Sequence, residues 1–493
     1  MPDMRVAILT EGFQHTGYGH IYRCRAIADS FRRKNIDVVF IIHGDEQLKD
    51  ILTAYPLHLF PWPDDRPRLN QLLEQADMAL IDSYHAGITV YETIQNRISV
   101  CAYMDDYDRL EYPPGIVING TVGADNIYKE GKSNPGLRYL TGSDYVILRE
   151  PFRALPARST IARSVNTVLI TFGGSDTMQL TSRVLPVIAE YFPEANKIVV
   201  LGPAFKDTEK VEQAADMHTT IYRNIDAGAM KDLMLQADLA ISAAGQTMNE
   251  LAATGLPSII FKVADNQTYN ISGWIEAGFI TSCIDATEGR TEDELRIGLR
   301  QMEDPEYRER LSVAGRNALD GKGSDRIVKE ILKAFGQKQL QIRLAEECDL
   351  LPLFELANDR EVRANSFSTQ SISLAEHTGW FNCTLANPAR KLFVFRLNGE
   401  PAGQVRFDKE RDEAVIGVSL NARYRGMGWA SLMIRKALDA YKVQEPYINR
   451  VYAFVKSANT ASKYTFLNAG FNAVANEREK VLTYMYRYGK EFV

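Results

Sequence analysis

Glycine-containing turns carry the residues of this chain that are best suited to chemistry. The first, Gly17-Tyr18-Gly19-His20, follows a strand-like run and leads into Ile21-Tyr22-Arg23-Cys24, the start of an amphipathic helix. Glycines at such a turn let backbone N–H groups approach an anion, and a helix start carries about half a positive charge. An imidazole at His20 can take a proton from water or from an acceptor hydroxyl near neutral pH. Taken alone, this tetrapeptide fits an ordinary capped turn equally well.

Two similar turns follow later in the chain. Gly173-Gly174-Ser175-Asp176 has polar side chains that suit a pyrophosphate or a sugar, and Gly245-Gln246-Thr247 precedes Glu250. A carboxylate in the first turn of a helix can accept hydrogen bonds from a ribose diol. The segment from Thr247 to Glu250 also fits a capping box, in which Glu250 bonds the Thr247 N–H, and by itself the box is the more common role. The polar loop Asn266-Gln267 can contact phosphate or sugar hydroxyls, or cap the following helix.

A fourth turn lies near the C-terminus. The strand-like run Val415–Leu420 is followed by Arg423-Tyr424-Arg425-Gly426-Met427-Gly428 and by a helix with one apolar face. The spacing R-x-x-G-x-G presents free N–H groups and a helix dipole to a diphosphate, and the two arginines add positive charge. A βα turn with basic flanks and no ligand is the alternative interpretation.

Repeating βα units must position these turns. Up to about residue 335, short apolar runs alternate with amphipathic stretches, which is the pattern of parallel sheets. The predicted strands are Arg5–Leu9, Val38–Ile42, Met78–Ile81, Ser99–Tyr103, Ile116–Ile118, Thr167–Phe172, Lys197–Leu201, Asp238–Ala243 and Ser258–Phe261. We therefore predict an α/β fold with two Rossmann-like domains, 1–150 and 151–336. Ligands bind at the carboxyl ends of such strands.

The pattern changes at Leu340. A strand (Gln341–Leu344), a hairpin at Asn398-Gly399, the βα unit Val415–Tyr441 and a strand (Val451–Val455) predict a smaller α+β domain at 340–493.

Composition limits the class of protein. The chain has 493 residues, 45% of them hydrophobic and 24% charged, with a formal net charge of −6. This balance excludes disordered and fibrous proteins, and the absence of a basic tract argues against a nucleic-acid partner. No apolar run is long enough for a membrane span and no signal peptide is visible, so we expect a cytoplasmic protein. The five scattered cysteines predict free thiols and no metal site.

The order of the motifs in the first two domains resembles a known family. GYGHIYRC, IDSY (Ile81–Tyr84), MDDYDR (Met104–Arg109) with VING (Val117–Gly120), FGGSD, AAGQTMNELAATGLP and ADNQ occur in this order over residues 4–335. They resemble the UDP-2,4-diacetamido-2,4,6-trideoxy-β-L-altropyranose hydrolases of pseudaminic acid biosynthesis, which are relatives of GT-B glycosyltransferases. The resemblance implies a GT-B arrangement of the two Rossmann-like domains.

The resemblance also implies site residues. His20 is the expected catalytic base for water attack at the anomeric carbon, Tyr84 and Asn266 match sugar- and phosphate-contacting positions, and Glu250 matches the ribose carboxylate. The other implied substrate-binding residues are Gly17, Gly19, Arg23, Gly173, Gly174, Ser175, Gly245, Gln246, Thr247 and Gln267. One departure, Thr10-Glu11-Gly12-Phe13-Gln14, affects the identity of the sugar.

The third domain resembles the GNAT acetyltransferases, with acetyl-CoA as the implied cosubstrate. The resemblance rests on R-x-x-G-x-G, on Asn459-Thr460-Ala461-Ser462 and on Asn468-Ala469-Gly470-Phe471. The implied acetyl-CoA residues are Val418, Arg423, Arg425, Gly426, Met427, Gly428 and Asn459. Asn365-Ser366-Phe367 and the segment His377-Thr378-Gly379-Trp380-Phe381 resemble the sugar-amine acetyltransferase of the same pathway, which makes His377 and Trp380 the implied acceptor residues.

The sequence leaves the acid and base of this acetyltransferase open. Phe466 stands where these enzymes often carry a tyrosine, and Tyr464 lies about 200° away around a helix. The candidate bases are His377, Glu376 and Glu413.

We therefore predict a bifunctional enzyme that acetylates a UDP-4-amino sugar and then hydrolyses the diacetamido product to UDP and free sugar. One rival is a glycosyltransferase with the same fold, and another is a nucleotide-sugar-binding protein with a decayed acetyltransferase. The sequence does not specify an oligomeric state.

Overall fold

The computed structural model of the chain describes residues 4–14, 18–128, 134–156, 158, 161–174, 176–202, 205, 208–288, 290–474 and 481–488. The chain forms two compact units, residues 1–331 and 332–493. The boundary falls within the helix Gly323–Gln339, a few residues before the predicted one.

The first unit contains a parallel sheet of seven described strands, in the order β3-β2-β1-β4-β5-β6-β7. The strands are β1 (Arg5–Gly12), β2 (Asp37–Gly44), β3 (Leu57–Leu59), β4 (Met78–Asp82), β5 (Val100–Met104), β6 (Gly115–Asn119) and β7 (Leu137–Thr141). The connecting helices are α1 (Gly19–Arg32), α2 (Leu48–Ile51), α3 (Arg66–Leu73) and α4 (Ile88–Gln95). Strands β4 and β5 are buried along their whole length, because helices cover both faces of such a sheet.

A second parallel sheet of the same unit has six described strands, in the order β10-β9-β8-β11-β12-β13. The strands are β8 (Thr167–Thr171), β9 (Asn196–Leu201), β10 (Thr219–Arg223), β11 (Leu239–Ala243), β12 (Ser258–Lys262) and β13 (Ile284–Asp285). The helices are α5 (Leu180–Tyr191), α6 (Thr208–Ala214), α7 (Ala227–Gln236), α8 (Thr247–Thr254), α9 (Thr268–Glu276), α10 (Thr291–Gln301), α11 (Pro305–Ala318) and α12 (Gly323–Gln339). Single-turn 3-10 helices of this unit are Ala124–Asn126, Ser143–Tyr145, Glu150–Phe152 and Asp265–Gln267.

Both sheets have a point at which the strand order reverses. In the first sheet β1 lies between β2 and β4, and in the second β8 lies between β9 and β11. The loops after neighbouring strands diverge to opposite faces at such a point and leave a crevice for a ligand. The turns singled out in the sequence follow β1, β4, β8 and β11, so the topology places them at these two crevices.

The second unit has a mixed sheet of seven described strands, in the order β14-β15-β16-β17-β18-β20-β19. The strands are β14 (Gln341–Leu344), β15 (Arg390–Leu397), β16 (Glu400–Glu410), β17 (Glu413–Leu420), β18 (Arg450–Lys456), β19 (Asn472–Val474) and β20 (Val481–Arg487). The helices are α13 (Leu350–Ala357), α14 (Arg360–Asn365), α15 (Leu374–Ala386), α16 (Trp429–Gln444) and α17 (Thr460–Asn468), with 3-10 turns at Glu347–Asp349 and Ala422–Tyr424. The β15–β16 hairpin turns at Asn398 and Gly399, both at positive φ, as a two-residue hairpin turn requires.

A gap between β17 and β18 of this sheet leaves space for a ligand. Within the described residues β17 and β18 pair in parallel only over Glu413–Val415 and Arg450–Tyr452. Beyond this point the two strands diverge, and the backbone of β17 up to Leu420 pairs only with β16. An unpaired strand edge offers N–H and C=O groups to an extended ligand.

Candidate functional site

A cavity of about 360 Å³ lies at the carboxyl ends of β1, β4 and β5. His20, Arg23, Tyr84 and Asp106 line it from the first sheet. The residues that line it from the second sheet are Ala244, Gly245, Gln246, Asn249, Asn266, Gln267, Tyr269 and Asn270. The structure thus brings the predicted base and the predicted sugar-contacting residues into one crevice.

His20 is oriented by a carboxylate that the sequence analysis did not assign. Its Nδ1 lies 2.6 Å from Oδ1 of Asp82, the last residue of β4, and the Asp82 side chain is fully buried. The His20 side chain retains 20% exposure. Because Asp82 holds Nδ1, the free Nε2 is the nitrogen available to the cavity. The IDSY motif contained this residue, but a polar residue at the end of a strand is too common to identify by itself.

Arg23, which we expected to bind substrate, lines the cavity and is held by two carboxylates. Its Nε and Nη2 each donate to Asp82 at 2.6 Å, and its Nη1 donates to both oxygens of Asp106 at 2.8 and 2.9 Å. Burial alone would raise the pKa of the Asp82 carboxyl, but the Arg23 charge, His20 and their hydrogen bonds outweigh it and lower that pKa. The guanidinium is therefore a structural cation, because buried carboxylates need such a partner.

Tyr84 lies beside the base. Its ring meets the His20 ring edge-on, with the centroids 4.6 Å apart, and its hydroxyl donates to Asp106. Burial and the neighbouring Asp106 charge raise the pKa of Tyr84, so the phenol stays protonated as a hydrogen-bond donor.

A second cavity of about 430 Å³ is lined partly by the same residues, including Gly19, Gln246 and Gln267. Its other walls come mainly from the loops after β8, β9 and β11, together with Tyr22, Arg23 and Arg149. Among the predicted residues, Gly173, Gly174, Gly245, Thr247 and Glu250 line it. Two further predicted residues, Gly17 and Ser175, lie outside the described residues.

The glycines leave room for a ligand. A Cβ built on Gly19, Gly173, Gly174 or Gly245 would meet no heavy atom within 4 Å. Gly173 also has a φ of 79°, which side-chain-bearing residues rarely adopt. Open backbone at the end of a buried strand is a suitable surface for a diphosphate.

Glu250 does not form the capping box. Helix α8 begins after Gln246 without a side-chain cap, and both Glu250 oxygens accept from Arg149, from Nε at 2.5 Å and from Nη2 at 2.7 Å. Burial raises the pKa of Glu250, and Arg149 partly opposes this shift. The capping interpretation is therefore wrong, and Glu250 stands in the wall of the cavity with Arg149 as its counter-ion.

Asn266 and Gln267 belong to the 3-10 turn before α9. Gln267 Oε1 accepts from the Val263 N–H at 2.9 Å, which holds the turn against the end of β12. Both residues line the first cavity.

In the second unit, a cavity of about 810 Å³ occupies the gap between β17 and β18. Val418, Arg425, Gly426 and Asn459 line it among the predicted acetyl-CoA residues, and His377 and Trp380 line it among the predicted acceptor residues. Asn459 Oδ1 caps α17 by accepting from the Ser462 N–H at 3.0 Å. Arg423, Met427 and Gly428 are not among the described lining residues.

The turn before α16 needs its glycines. Gly426 and Gly428 have φ values of 73° and 77°, and Gly428 is the residue before the helix, so several N–H groups of the first turn have no partner in the helix. Arg425 lines the cavity, and its guanidinium also donates to Asp359 at 2.5 Å and to Glu361 at 2.8 Å. A diphosphate at this turn would share the arginine with these two carboxylates.

The structure separates the three candidate bases. Glu376 is committed to the Ser373 cap of α15, and Glu413 accepts from Arg450 and Tyr452. His377 is 2% exposed and its Nε2 has no hydrogen-bond partner. Burial lowers its pKa, and a backbone hydrogen bond with Leu350 partly opposes this shift. His377 lines the cavity, and because its Nε2 is buried and unpartnered, it could accept a proton only from a group that reaches into its pocket.

Phe466 lines the same cavity and packs against Phe471 and Tyr484, with ring centroids 5.1 and 6.3 Å away. Tyr464 is 58% exposed and is not among the described lining residues. Its hydroxyl therefore does not replace the absent phenol.

No described helix is long and apolar enough to cross a membrane. No described group of three or more His, Cys, Asp or Glu side chains is arranged to hold a metal ion. The described cysteines, Cys24, Cys101, Cys283, Cys348 and Cys383, are free thiols.

Comparisons with known proteins found a domain family and several relatives. Residues 339–472 match the acetyltransferase (GNAT) domain family. An uncharacterised protein of Methanocaldococcus jannaschii is 28% identical over 271 residues, 52% of this chain and 55% of the relative. The spore coat polysaccharide biosynthesis protein SpsG of Bacillus subtilis is 25% identical over 354 residues, 68% of this chain and 100% of the relative.

A third relative bears on the resemblance seen in the sequence. The pseudaminic acid cytidylyltransferase and UDP-2,4-diacetamido-2,4,6-trideoxy-β-L-altropyranose hydrolase of Helicobacter pylori is 26% identical over 271 residues, 54% of this chain and 45% of the relative. This chain thus spans about half the length of the Methanocaldococcus and Helicobacter proteins. Among solved structures, the spermidine N-acetyltransferase of Vibrio cholerae is 22% identical, covering 30% of this chain and 95% of that one with a TM-score of 0.28. The chain is therefore a relative of a protein that carries this hydrolase, and its C-terminal unit contains a GNAT acetyltransferase domain.

Proposed function

We propose that the chain is a bifunctional nucleotide-sugar enzyme of nonulosonic acid biosynthesis, with a hydrolase site in the first unit and an acetyltransferase site in the second. The observation that carries the hydrolase is the His20–Asp82 pair in a cavity next to the glycine-lined cavity of the second sheet. Because a match of 271 residues exceeds the length of the second unit, the Helicobacter relative must resemble at least about a third of the first.

The hydrolase substrate would be a UDP-2,4-diacetamido-2,4,6-trideoxy sugar. UDP would lie against Gly173, Gly174 and Gly245, with its ribose near Glu250, and the sugar would lie near Tyr84 and Asn266. Water attacks C1, its proton passes to His20 Nε2, and the bond from C1 to the phosphate oxygen breaks so that UDP leaves with the electron pair. The two sheets would take the GT-B arrangement that the resemblance implies.

The acetyltransferase would use acetyl-CoA. Its diphosphate would bind at the turn before α16, and its pantetheine arm would lie along the open edge of β17 near Val418 and Asn459. The amine of a UDP-4-amino-4,6-dideoxy-N-acetyl sugar attacks the thioester carbonyl, His377 Nε2 takes the amine proton, and CoA leaves as a thiolate. Solvent would then protonate the thiolate, because Phe466 has no hydroxyl.

A mass-spectrometric assay tests both reactions. The full chain is incubated with the UDP-amino sugar, with and without acetyl-CoA and without any other acceptor. We expect UDP and free diacetamido sugar only when acetyl-CoA is present. In the His20→Asn variant the acetylated UDP-sugar should accumulate.

Other results would point to the rivals. An acetylated UDP-sugar that persists with the unaltered chain, and is consumed only when an acceptor is added, would identify a glycosyltransferase. Binding of the UDP-sugar with neither reaction would identify a binding protein.

A further inference from the structure

Arg23 lines the cavity, but each of its three guanidinium nitrogens already donates to a carboxylate of the protein. Its side chain is 7% exposed, and Nε, Nη1 and Nη2 all donate to Asp82 or Asp106. Its Nη2 also lies 3.2 Å from Nδ1 of His20. The positive charge of Arg23 therefore lies next to the His20 ring and affects the protonation of that ring.

Arg23 offsets part of the negative charge around His20, which comes from Asp82 and Asp106. A buried carboxylate beside an imidazole favours the imidazolium, and a neighbouring cation disfavours it. Asp82 exerts the first effect, and Arg23 exerts the second while it also neutralises Asp82. The other titratable or charged groups near this site are Asp106, which is bound to Arg23, Tyr84 against the ring, Cys24 on Asp82, Glu11 behind Ser83, and Tyr269 across the cavity.

We propose that Arg23 is a positioning residue that keeps His20 uncharged, with its proton on Nδ1 and its Nε2 free to accept a proton from water. This inference rests on the proposed hydrolase for its catalytic meaning. Through Asp106 the same guanidinium also fixes the acceptor of the Tyr84 hydroxyl. One buried cation thereby positions both the base and a residue of the sugar pocket.

The pH dependence of hydrolysis tests the proposal. In Arg23→Met, the loss of the cation leaves Asp82 unbalanced beside the imidazole, so the acidic limb of kcat/KM should move to higher pH by about one unit or more. Asp82→Asn should move the limb to lower pH. Arg25→Met is the matched control, because Arg25 is an exposed arginine on the same helix that bonds the Ile51 carbonyl. If Arg23→Met lowers kcat by the same factor at every pH and the acidic limb of the kcat/KM profile stays at the same pH, the proposal is overturned.

A double variant guards against misfolding. Arg23→Met alone leaves a buried carboxylate without its partner, whereas Arg23→Met with Asp82→Asn removes both charges. In the double variant, the acidic limb of the kcat/KM profile should return towards the pH at which it lies in the unaltered chain. A limb that stays as high as in Arg23→Met would contradict the proposed balance.

An NMR measurement separates this proposal from the proposed function. In the full chain labelled with ¹⁵N-histidine, His20 is identified by comparison with His20→Asn. We expect the neutral Nδ1–H tautomer at neutral pH, and the doubly protonated ring in Arg23→Met. If the unaltered chain releases no sugar, the hydrolase fails while this spectrum still tests Arg23. If the sugar is released but the His20 signals do not change in Arg23→Met, the role of Arg23 fails alone.

Discussion

At the scale of single residues, the Glu250 carboxylate already has a hydrogen-bonding partner within the protein. Its carboxylate is 7% exposed and pairs with Arg149, which is 27% exposed. Glu250→Gln should lower the free energy of unfolding by less than the roughly 3–5 kcal/mol of a fully buried pair, because solvent screens Arg149. Chemical denaturation of the full chain measures the loss. Glu150→Gln, whose exposed carboxylate pairs with Arg33 and Arg153, is the control and should cost less than about 1 kcal/mol.

The same substitution also tests the ribose assignment. If Glu250 accepts ribose hydroxyls, Glu250→Gln should weaken UDP binding by about tenfold or more, since hydrogen bonds to charged groups contribute roughly 1.5–3 kcal/mol. Isothermal titration with UDP gives the dissociation constant. Unchanged UDP affinity in a folded variant would assign Glu250 to the Arg149 pair alone.

His377 gives the stability of the chain a pH dependence. Burial lowers its pKa from the usual value of 6.5, so the unfolded chain binds this proton more readily than the folded one. Stability is then complete above about pH 6.5 and falls as the pH drops below it, by at most about 1.4 kcal/mol per pH unit. Denaturation at about pH 7.5 and about pH 5.5 should show a smaller difference for His377→Gln than for the unaltered chain. Equal differences would contradict the depressed pKa.

At the scale of elements, the two glycines of the turn after β8 allow the effect of backbone strain to be measured apart from the effect of filling the cavity. Gly173 has a positive φ, whereas Gly174 does not, and a Cβ on either would enter open space. Gly173→Ala should cost roughly 1–2 kcal/mol of stability, because a side chain disfavours the left-handed conformation. Gly174→Ala should leave the stability nearly unchanged. Both variants should bind UDP more weakly, since each adds a methyl group to the cavity wall.

Thermal unfolding and UDP titration of the two variants check this pair. A loss of UDP affinity in neither variant would place the nucleotide elsewhere. A stability loss of similar size in both would show that strain at Gly173 is not the cause.

Elements also show where sequence patterns are weak. The apolar runs predict the buried strands β4, β5 and β11 to within a residue or two, because a short uninterrupted apolar run between polar turns is typical of a buried parallel strand. The same patterns do not reveal the short strands β3, β7, β10 and β13. Most residues of β7 and β10 are partly or fully exposed, and β3 and β13 have only three and two residues, so their pairing depends on a neighbouring strand that is distant in sequence.

At the scale of the whole molecule, the proposal assigns each reaction to a separate unit. His20→Asn should abolish hydrolysis without affecting acetyl transfer, and His377→Gln should reduce acetyl transfer without affecting hydrolysis of the diacetamido substrate. Mixed together, the two variants should convert the UDP-amino sugar and acetyl-CoA to free sugar, because the intermediate can diffuse between chains. Chromatography of the mixture measures this complementation. If each variant keeps the activity of its unaltered site but the mixture yields no free sugar, the intermediate is not released from the chain that makes it.

The sequence by itself determined the candidate turns and motifs and their order along the chain. Glycine turns after apolar runs, a histidine at the first turn and R-x-x-G-x-G before an amphipathic helix are local patterns, so they can be recognised without a structure. They were enough to predict the parallel sheets, the GNAT domain and the relationship to the hydrolase.

Only the tertiary structure decided which partner each charged side chain has. It assigned Arg23 to Asp82 and Asp106, Arg149 to Glu250, and Arg425 to Asp359 and Glu361. These partners are far apart in sequence, and an arginine near a glycine turn has the same local pattern whether it binds a phosphate or a carboxylate. For Asp82 and Glu250 the difference is set by burial, because a buried carboxylate must be compensated by whichever cation the fold brings within hydrogen-bonding distance. Asp359 and Glu361 are partly exposed, and they pair with Arg425 because the fold places them beside it.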